Sequence, residues 1–406
     1  MRTLFYNHTG IVSGAEKMLL LSLANLPRGS FELILVCPAE GTLRNDAADL
    51  GVPVITCNQI RARFTYNPLL FLNYLLSIAG VLYAFRKKVK ALSPDIVQAN
   101  TVRAGIVATV ATIGTRVPVI WHSHDILPSH PLTTLIRLLA HSSRRVHIVA
   151  CSKAAAYTLR PFTSRGRHVV VIHNGIDMTR FHRSPELRDE KRKELVIVPK
   201  SFVIGMVGQV SPRKGQLGLI RAFADVRSTV PEAVLLIIGA SLFNKDHEYL
   251  QRLEQEVAKL QLGKSVRFLG QRSDVPALIQ TMDLFVLNSE VEPFALVLIE
   301  AMMLGKAVIA TDCGGPAEIV HHRVDGEILP VGDHKALVNT MIRLAMDPSL
   351  RERYGEVAIR NVKHIFSKER YIAQWCSQYR KVTSAHLSKP LEIVNDDIEM
   401  GARVSE

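Results

Sequence analysis

Short apolar runs alternate with longer segments of mixed apolar and polar residues over most of the chain. Such runs are typical of strands that are covered on both faces, and the longer segments are typical of the helices that cover them. The pattern therefore predicts an α/β fold with parallel sheets. We predict strands at residues 4–6, 31–37, 54–56, 93–100, 119–121, 148–152, 169–174, 202–207, 233–239, 266–269, 284–287 and 307–310.

The segment 283–320 has the clearest succession of elements. A predicted strand is followed by a polar loop (288–293), a helix (295–304) and Gly305, which is typical of the residue just after a helix. A second strand follows, and the sequence Gly-Gly-Pro at 314–316 predicts the start of another helix. This strand–helix–strand unit is where we look first for a binding site.

Two acidic residues of this segment, Glu292 in the loop and Glu300 in the helix, are candidates for function. Glu300 shares its helix face with Leu296, Val297, Met303 and Leu304. A carboxylate on an apolar face must meet a hydrogen-bond donor, because burying it unpaired is costly. A helix N-terminus after a parallel strand attracts anions, and carboxylates beside it accept hydrogen bonds from hydroxyls, so the arrangement suits a phosphorylated sugar or ribose. The alternative is that a backbone N–H or an arginine merely satisfies Glu300.

The sequence E-P-F-A-L-V-L-I-E from Glu292 to Glu300 resembles the E-x7-E signature of the retaining glycosyltransferases of family 4. The same context surrounds it: Asn288-Ser289 before, and Gly305, a strand and a Gly-Gly-x-x-Glu turn after. The resemblance covers about residues 4–380. It implies the GT-B fold, in which two Rossmann-like, doubly wound parallel-sheet domains face each other across a cleft and bind a nucleotide sugar.

The resemblance also implies a domain organisation. We expect an N-terminal Rossmann-like domain on the acceptor side (1–180) and a C-terminal Rossmann-like domain that binds the nucleotide sugar (195–364). A helix (365–381) is expected to cross back to the first domain, and a polar tail (386–406) to follow it. The charged segment 180–193 is expected to be the hinge.

Two glycine-containing loops are candidates for binding the donor diphosphate. The sequence G-Q-V-S-P-R-K-G at 208–215 resembles a family loop in which a lysine, and often an arginine, neutralises that group. Lys214 matches the lysine, and Arg213 is expected to supply the second charge, because Gln209 stands where many members have arginine. In the first domain, Gly14 matches the second glycine of a Gly-Gly-x-Glu motif and could let the backbone approach the diphosphate. An ordinary strand-to-helix turn is the alternative at Gly14.

The family often has a histidine–aspartate pair after a strand of the first domain, with the histidine facing the donor sugar. His124-Asp125 matches this pair, and His122 is an additional histidine. The carboxyl end of a parallel strand is where ligands of such sheets gather, which favours a catalytic role for His124. A histidine that simply lies in a surface loop is the alternative.

The resemblance assigns the remaining contacts of the donor. Glu292 is expected to orient sugar hydroxyls as the second catalytic residue, together with backbone N–H groups of Phe294, Ala295 and Leu296. Glu300 is expected to hold the ribose hydroxyls, and Arg272 to lie near the nucleoside.

The excess of basic over acidic residues indicates which binding partners to expect. The chain has 50 lysines and arginines against 37 aspartates and glutamates, a formal net charge of +13. This excess predicts anionic partners, such as nucleotide phosphates or an anionic membrane surface. Nucleic acid is not expected, because no recognition helix, zinc finger or aromatic RNA-binding motif accompanies the charge.

Cysteine usage and the N-terminus indicate the compartment. The five cysteines are scattered and odd in number, which favours a reducing compartment and no zinc site. No metal and no cofactor is expected, since lysine and a helix N-terminus can neutralise phosphates. The chain runs directly from Met1 into a strand, so we expect no signal peptide and a cytoplasmic protein.

One predicted helix needs separate treatment. The apolar stretch 68–85 is followed directly by a basic run at 86–90. A packed core helix would explain the apolar residues. A helix that also touches a membrane surface would explain both parts, because lysines near a membrane attract anionic headgroups. The second case implies a protein that is peripheral on the inner face of the membrane.

Taken together, these features predict a metal-independent glycosyltransferase that moves a sugar from a nucleoside diphosphate sugar to a hydroxyl acceptor, on a glycan or a lipid-linked precursor. Retention of configuration is implied by the resemblance alone. A nucleotide-sugar epimerase on the same fold is one alternative, and a non-enzymatic binding protein with a decayed site is another. The presence of Glu292, Glu300, Lys214 and His124 argues against decay, since polar residues in apolar settings are costly without a use.

Overall fold

The computed structural model describes residues 1–59, 66–162, 168–241 and 244–385, and it divides into two compact units. The first unit comprises 1–151, 156–172 and 372–385, and the second comprises 152–155 and 173–371. Each unit is built on one parallel sheet with helices between successive strands, as the alternating pattern predicted. The predicted polar tail at 386–406 lies outside the described residues.

The first unit contains a seven-stranded sheet. Its strands are β1 Arg2–Tyr6, β2 Glu32–Pro38, β3 Val54–Cys57, β4 Ile96–Ala99, β5 Val119–Ser123, β6 Val146–Ala150 and β7 Val170–Val171. They lie in the order β3-β2-β1-β4-β5-β6-β7, and every neighbouring pair is parallel. The chain order reverses between β1 and β4, and ligands of such sheets bind outside the carboxyl ends of the strands at that switch point.

The helices of the first unit begin at polar or proline-containing turns. They are α1 Gly14–Asn25, α2 Leu43–Asp49, α3 Pro68–Leu92, α4 Val102–Ala111 and α5 Pro131–Ala140; α6 Lys153–Thr158 is divided between the two units. At the start of α3 the Asn67 side chain accepts hydrogen bonds from the N–H groups of Leu69 and Leu70, and at α4 Thr101 accepts one from Ala104. The core takes only part of α3, namely Val81, Phe85 and Val89.

The last helix, α14 (Lys368–Ser384), passes from the second unit to the first at residue 372. Trp375 and Tyr379 are fully buried in the first unit. The Tyr379 hydroxyl donates to the side-chain oxygen of Gln98 in β4, and its ring lies 5.4 Å from that of Phe31. Residues near the end of the described chain therefore complete the core that begins with β1.

The second unit contains a six-stranded sheet. Its strands are β8 Val203–Val207, β9 Val234–Ile238, β10 Val266–Gly270, β11 Leu284–Leu287, β12 Ala307–Thr311 and β13 Glu327–Leu329. Its helices are α7 Pro185–Glu194, α8 Gln216–Thr229, α9 Asn244–Lys259, α10 Val275–Thr281, α11 Leu296–Met303, α12 His334–Met346 and α13 Pro348–Ile365. The order β10-β9-β8-β11-β12-β13 is again fully parallel and reverses between β8 and β11.

Two local predictions were wrong. The segment 180–193, expected to be a hinge, contains most of α7, because Ser184 caps it and Arg192 anchors it through Asp283 and the Thr281 carbonyl. The helix expected after 314–316 is only a single 3₁₀ turn, Gly315–Glu318. The next two residues, Ile319 and Val320, are buried.

Candidate active site

The loops after β8 and β11 meet at the switch point of the second sheet. The N–H of Glu290 donates to the carbonyl of Arg213 at 2.8 Å, and the Asn288 side-chain amide donates to the carbonyl of Gly215 at 2.9 Å. Gly215 has a φ of +73°, and a Cβ placed there would lie 1.9 Å from the carbonyl oxygen of Asn288. Only glycine therefore permits this approach, which brings the start of α8 against the end of β11.

Lys214 and Glu292 form an ion pair where these loops meet. Their side chains are only 14% and 11% exposed, so the pair is largely shielded from water. Lys214 ends the 3₁₀ turn Pro212–Lys214, which stands directly before α8, and Glu292 stands shortly before α11. Arg213, next to Lys214, is exposed, and it has no ion pair within the part of the chain that the structure describes. The site thus has one shielded cation, one exposed cation and one shielded carboxylate.

The loop that contains Glu292 is fixed by its own backbone. The N–H of Glu292 donates to the Cys313 carbonyl at 3.1 Å, and its carbonyl accepts from the N–H of Gly315 at 2.8 Å. A Cβ at Gly315 would lie 2.1 Å from the carbonyl oxygen of Pro293, so this pairing also depends on glycine. The Glu292 carboxylate is consequently held by a rigid frame between β11 and β12.

The helix α11 begins at this frame. Phe294 and Ala295 are buried just before it, and the first N–H groups of a helix have no partner within the helix. Glu300 is half-buried on the same side as Leu296 and Val297, whereas the packed face of α11 is formed by Leu298, Ile299, Ala301 and Met302. The expected shared side of Glu300, Leu296 and Val297 is therefore present, and it is the half-buried side of α11 rather than the packed one.

Glu318 is a further acidic residue of this region, and the sequence analysis did not assign it. Its carboxylate accepts hydrogen bonds from the N–H groups of Lys153 and Ala154 at 2.8 and 2.9 Å and from Nε2 of His173 at 2.9 Å. Burial raises the pKa of Glu318, but His173 and the two N–H groups outweigh it and lower that pKa below its ordinary value. The Gly-Gly-x-x-Glu spacing was the available signal for this residue.

Arg272 lies just after β10 and is already engaged. Its guanidinium contacts both carboxylate oxygens of Asp274 at 2.8 and 2.7 Å and the carboxylate of Glu194 at 3.2 Å. Hydrogen bonds to these two acids raise the pKa of Arg272, and the Arg272 contact in turn lowers that of Asp274. Any contact that Arg272 makes with a nucleoside must therefore use a side chain whose charge is already balanced.

Two of the predicted site residues, Gly14 and His124, lie in the first unit. Gly14 is exposed at the start of α1, and a Cβ there would contact nothing within 4 Å. Protein packing therefore does not require glycine at this position. His124 follows β5, and its Nε2 lies 3.1 Å from Nδ1 of His122. Burial lowers the pKa of His124 to about 3 and lowers that of His122 as well, so both rings are neutral at physiological pH.

Within the described residues, the structure forms no group of three or more histidine, cysteine, aspartate or glutamate side chains that could hold a metal ion. Near this site the second unit has the cationic side chains of Lys214 and Arg213 and the first turn of α11, and the N-terminus of a helix favours negative charge.

Comparison with known proteins gives matches over both units. The family model described as Glycosyltransferase Family 4 matches residues 12–180, and the one described as Glycosyl transferases group 1 matches residues 188–361. A curated relative from Escherichia coli, UDP-Gal:alpha-D-GlcNAc-diphosphoundecaprenol alpha-1,3-galactosyltransferase, is 25% identical over 84% of this chain and 87% of its own length. The capsular polysaccharide biosynthesis glycosyltransferase CapM from Staphylococcus aureus is 25% identical over 73% of this chain and 78% of its own length.

A solved structure, that of Anabaena Alr3699/HepE in complex with UDP-glucose, superposes on the whole fold. Its TM-score is 0.79 with 28% sequence identity, and the match covers 94% of this chain and 100% of that one. The likeness therefore extends over both parallel-sheet units.

Proposed function

Since the chain belongs to the family 4 glycosyltransferases with a GT-B fold, we propose that it transfers a sugar from a nucleoside diphosphate sugar to a hydroxyl of a lipid-linked or polysaccharide-precursor glycan. The observation that carries the donor part of this proposal is the Lys214–Glu292 pair at the second switch point, beside the N-terminus of α11. A cation, a carboxylate and a helix N-terminus together match a diphosphate with a hydroxylated sugar attached.

The charges are suited to the leaving group. When the bond to the sugar breaks, negative charge increases on the diphosphate, and preorganised donors stabilise it at the moment it forms. We assign this role to Lys214, Arg213 and the first N–H groups of α11. Gly14 would let the backbone at the start of α1 come close to a diphosphate, because glycine has no side chain there and packing within the protein does not require glycine.

The remaining donor contacts follow from the placement of polar groups. Glu292, fixed by its backbone, would accept hydrogen bonds from sugar hydroxyls beside the N–H groups at Phe294, Ala295 and Leu296. Glu300, on the half-open side of α11, would hold the ribose. His124 would contact the sugar as a neutral ring, and Arg272 would lie by the nucleoside. We further propose a uridine donor, because one relative is named for UDP-Gal and the solved neighbour contains UDP-glucose.

The acceptor part rests on α3. Among the described residues it is the one helix that is long and apolar enough to cross a membrane. Only 12% of its most apolar 18-residue stretch is buried within the protein. Length and composition alone are weak support for membrane contact, since core helices can share them. Stronger support comes from exposure, since Leu69, Leu76 and Tyr83 are 73%, 66% and 76% exposed. Lys87 and Lys90 extend the same stripe. We therefore propose that the protein works in the cytoplasm at an anionic membrane surface.

The test is a screen of UDP- and GDP-sugars with and without membrane extracts as acceptor, followed by mass spectrometry. We expect a glycosylated lipid only when donor and acceptor are both present. Conversion of the nucleotide sugar to an isomer without acceptor would indicate the epimerase alternative. Nucleotide binding without turnover of any donor would indicate a binding protein.

Activity should persist in excess EDTA. Lysine and helix N–H groups would carry the phosphate charge, so no divalent cation is needed at the site. Turnover is measured before and after chelation and again after adding Mg²⁺. Complete loss on chelation with recovery by Mg²⁺ would contradict the prediction.

A further inference from the structure

The positive charge of the chain is concentrated in one part of the first unit. Residues 50–176 contain 15 lysines and arginines and only two acidic residues, Asp95 and Asp125. This stretch therefore carries the whole formal net charge of +13, and the rest of the chain is balanced. A local excess of one sign attracts partners of the other sign. The exposed groups of this stretch are therefore the place at which to look for an anionic partner.

The helices α3, α4 and α5 all belong to this stretch and form one layer. Residues of all three share a core cluster with strands of the first sheet, and α4 contacts both α3 and α5. Within α4, every residue of which is described, only Arg103 is exposed, so the layer reaches solvent mainly through α3 and α5. The ring of Tyr66, just before α3, lies 4.5 Å from that of His130, which caps α5. The two outer helices therefore begin close together.

The outer side of α5 carries exposed leucines. Leu135 and Leu138, three residues apart, lie on the same side of the helix and are 58% and 53% exposed. Pro131 and Thr134 are exposed on that side too, so it carries no charged group. Neighbouring exposed apolar side chains mark a contact surface, whereas a single exposed leucine does not. The outer side of α5 is therefore a candidate for contact with an apolar partner.

Two arginines and two aromatic rings border this side of α5. The guanidinium of Arg137 lies 3.8 Å from the ring centre of Phe162, and Nε of Arg137 donates to the carbonyl of Arg160 at 3.0 Å. The guanidinium of Arg160 in turn lies 3.6 Å from the ring centre of Tyr157. Tyr157 and Phe162 are 65% and 49% exposed, and neither arginine has an ion pair among the described residues. The rings thus hold the two cations in place without neutralising them.

We use the name α5 surface for Leu135, Leu138, Tyr157, Phe162, Arg137 and Arg160. Leucines, aromatic rings and arginines without an ion pair are the groups that suit the boundary of an anionic membrane. Apolar side chains enter the acyl region there, aromatic rings lie at the level of the headgroups, and guanidinium groups contact lipid phosphates. Nucleic acid would use the charge and the rings but not the two leucines. The combination therefore favours a lipid surface.

We propose that the α5 surface is a second membrane-contacting element, which binds anionic phospholipid headgroups through Arg137 and Arg160 and inserts Leu135 and Leu138 between them. This inference rests on the proposed function, which assigns membrane contact to α3 alone. A single surface contact binds a membrane only marginally, and a second one makes the attachment stable. Two contacts also fix the orientation of the first unit, because rotation about either one would remove the other from the lipid.

The first test places a tryptophan reporter in the α5 surface. Trp121 and Trp375 are fully buried, so the added fluorescence of Leu138→Trp comes from the new residue. The full chain is mixed at low salt with vesicles of phosphatidylcholine and phosphatidylglycerol that contain brominated acyl chains, which quench tryptophan only on contact. We expect about twofold quenching of the added fluorescence in Leu138→Trp and in Leu69→Trp on α3. The control Met346→Trp, at a position of the second unit that is 59% exposed, should not be quenched.

The second test removes the apolar and the charged contacts separately. Leu135→Ser/Leu138→Ser should weaken vesicle binding about tenfold, because two apolar side chains no longer leave water. The matched control, Val196→Ser/Val198→Ser, changes two valines of the second unit that are 80% and 57% exposed, and it should leave binding unchanged. Arg160→Gln should weaken binding about fivefold at low salt and have little effect at high salt. Circular dichroism checks that each variant is folded.

The outcomes distinguish the α5 surface from membrane contact in general. Quenching of Leu69→Trp without quenching of Leu138→Trp would overturn the α5 surface and leave contact through α3 in place. Equal vesicle binding by Leu135→Ser/Leu138→Ser and wild type would also overturn it. If wild type bound no anionic vesicles, the membrane part of the proposed function would fail together with this inference. Binding of a short single-stranded RNA that depends on Arg160, without vesicle binding, would overturn the lipid and assign the surface to nucleic acid.

Discussion

Lys214 and Glu292 depend on each other, and this changes what a substitution at either residue will do. Lys214→Ala removes the contact expected at the diphosphate, and it also leaves the shielded carboxylate of Glu292 unpaired. We expect activity to fall about a hundredfold or more and the free energy of unfolding to fall by about 1–3 kcal/mol. Steady-state kinetics and urea denaturation measure the two effects.

A second substitution separates them. In Lys214→Ala/Glu292→Gln the unpaired charge is gone, so stability should return toward that of wild type while activity stays low. Full activity of Lys214→Ala at unchanged stability would remove the lysine from the donor site.

Three histidines of the first unit should make the protein sensitive to acid. Burial lowers the pKa values of His8 to about 4 and of His124 to about 3, and also lowers that of His122. The unfolded chain binds these protons near pH 6.5 and the folded one does not, so stability is full above pH 6.5 and decreases toward pH 3. Each histidine should contribute up to about 1.4 kcal/mol per pH unit. Urea denaturation between pH 7 and pH 5 measures the slope.

The control for this slope is a histidine on the surface. His122→Phe should flatten the dependence on pH, whereas His182→Asn, at an exposed position, should not. If the free energy of unfolding changed with pH equally in wild type and His122→Phe, protonation of His122 would not contribute to the acid sensitivity.

Residues differ in how far the sequence identifies their role. Lys214 and Glu292 each lie in a recognisable motif, and a parallel sheet brings the ends of β8 and β11 together, so their proximity followed from topology. His8 and Arg103 are 95 positions apart and belong to no motif, so only the fold reveals their contact. The side that Glu300 shares with Leu296 and Val297 followed from helical spacing, but its half-buried state did not, because an almost wholly apolar helix offers no polar face to indicate which side packs.

Among the elements, α3 was given two interpretations, a packed core helix and a helix that also touches a membrane surface, and these predict different effects of substitution. It packs in the core in its second half and is exposed in its first, so the core-helix interpretation holds for the second half, and membrane contact stays a prediction for the first. Replacing Leu69, Leu72 and Leu76 by serine should lower binding to anionic vesicles and leave the core intact. Cosedimentation at low salt, with circular dichroism as a check on folding, measures this.

A test of the basic residues at the end of α3 should not neutralise the whole run 86–90. Arg86 is bound to two carbonyls of the α4 region, so neutralising it would disturb packing. Lys87→Gln/Lys90→Gln tests the exposed charges alone, and we expect weaker, salt-sensitive vesicle binding. The matched control is Lys259→Gln/Lys264→Gln in the second unit. No cosedimentation of wild type at low salt would contradict membrane contact.

Strands were easier to predict than the short connections. Every predicted strand overlaps one in the structure, because strands covered on both faces are continuously apolar. The short strand β13 was missed, since the glutamate that begins it is buried against Arg343 and Tyr354 rather than replaced by an apolar residue. The helix α7 was missed because its composition is almost entirely charged, and it is anchored by Arg188 and Arg192 through Asp283 rather than by an apolar face.

At the scale of the whole molecule, the helix α14 joins chain segments that are far apart in sequence. Deleting residues from 372 onward should remove Trp375 and Tyr379 from the first unit and expose the face of His122, which packs on Trp375 at 4.8 Å. We expect the first unit to unfold at a lower temperature while the second unit retains nucleotide binding. Calorimetry resolves two transitions in the shortened chain if this is correct; a single unchanged transition would contradict it.

The same helix sets the order in which the protein can mature on the ribosome. Residues 372–385 are synthesised after the whole of the second unit, yet they fill the core of the first. The core of the first unit therefore stays incomplete during synthesis, and the surface that packs on Trp375 remains uncovered until the second unit has been translated. During that interval it is a natural client for chaperones, and slow translation of the second unit would lengthen its exposure to aggregation and proteolysis.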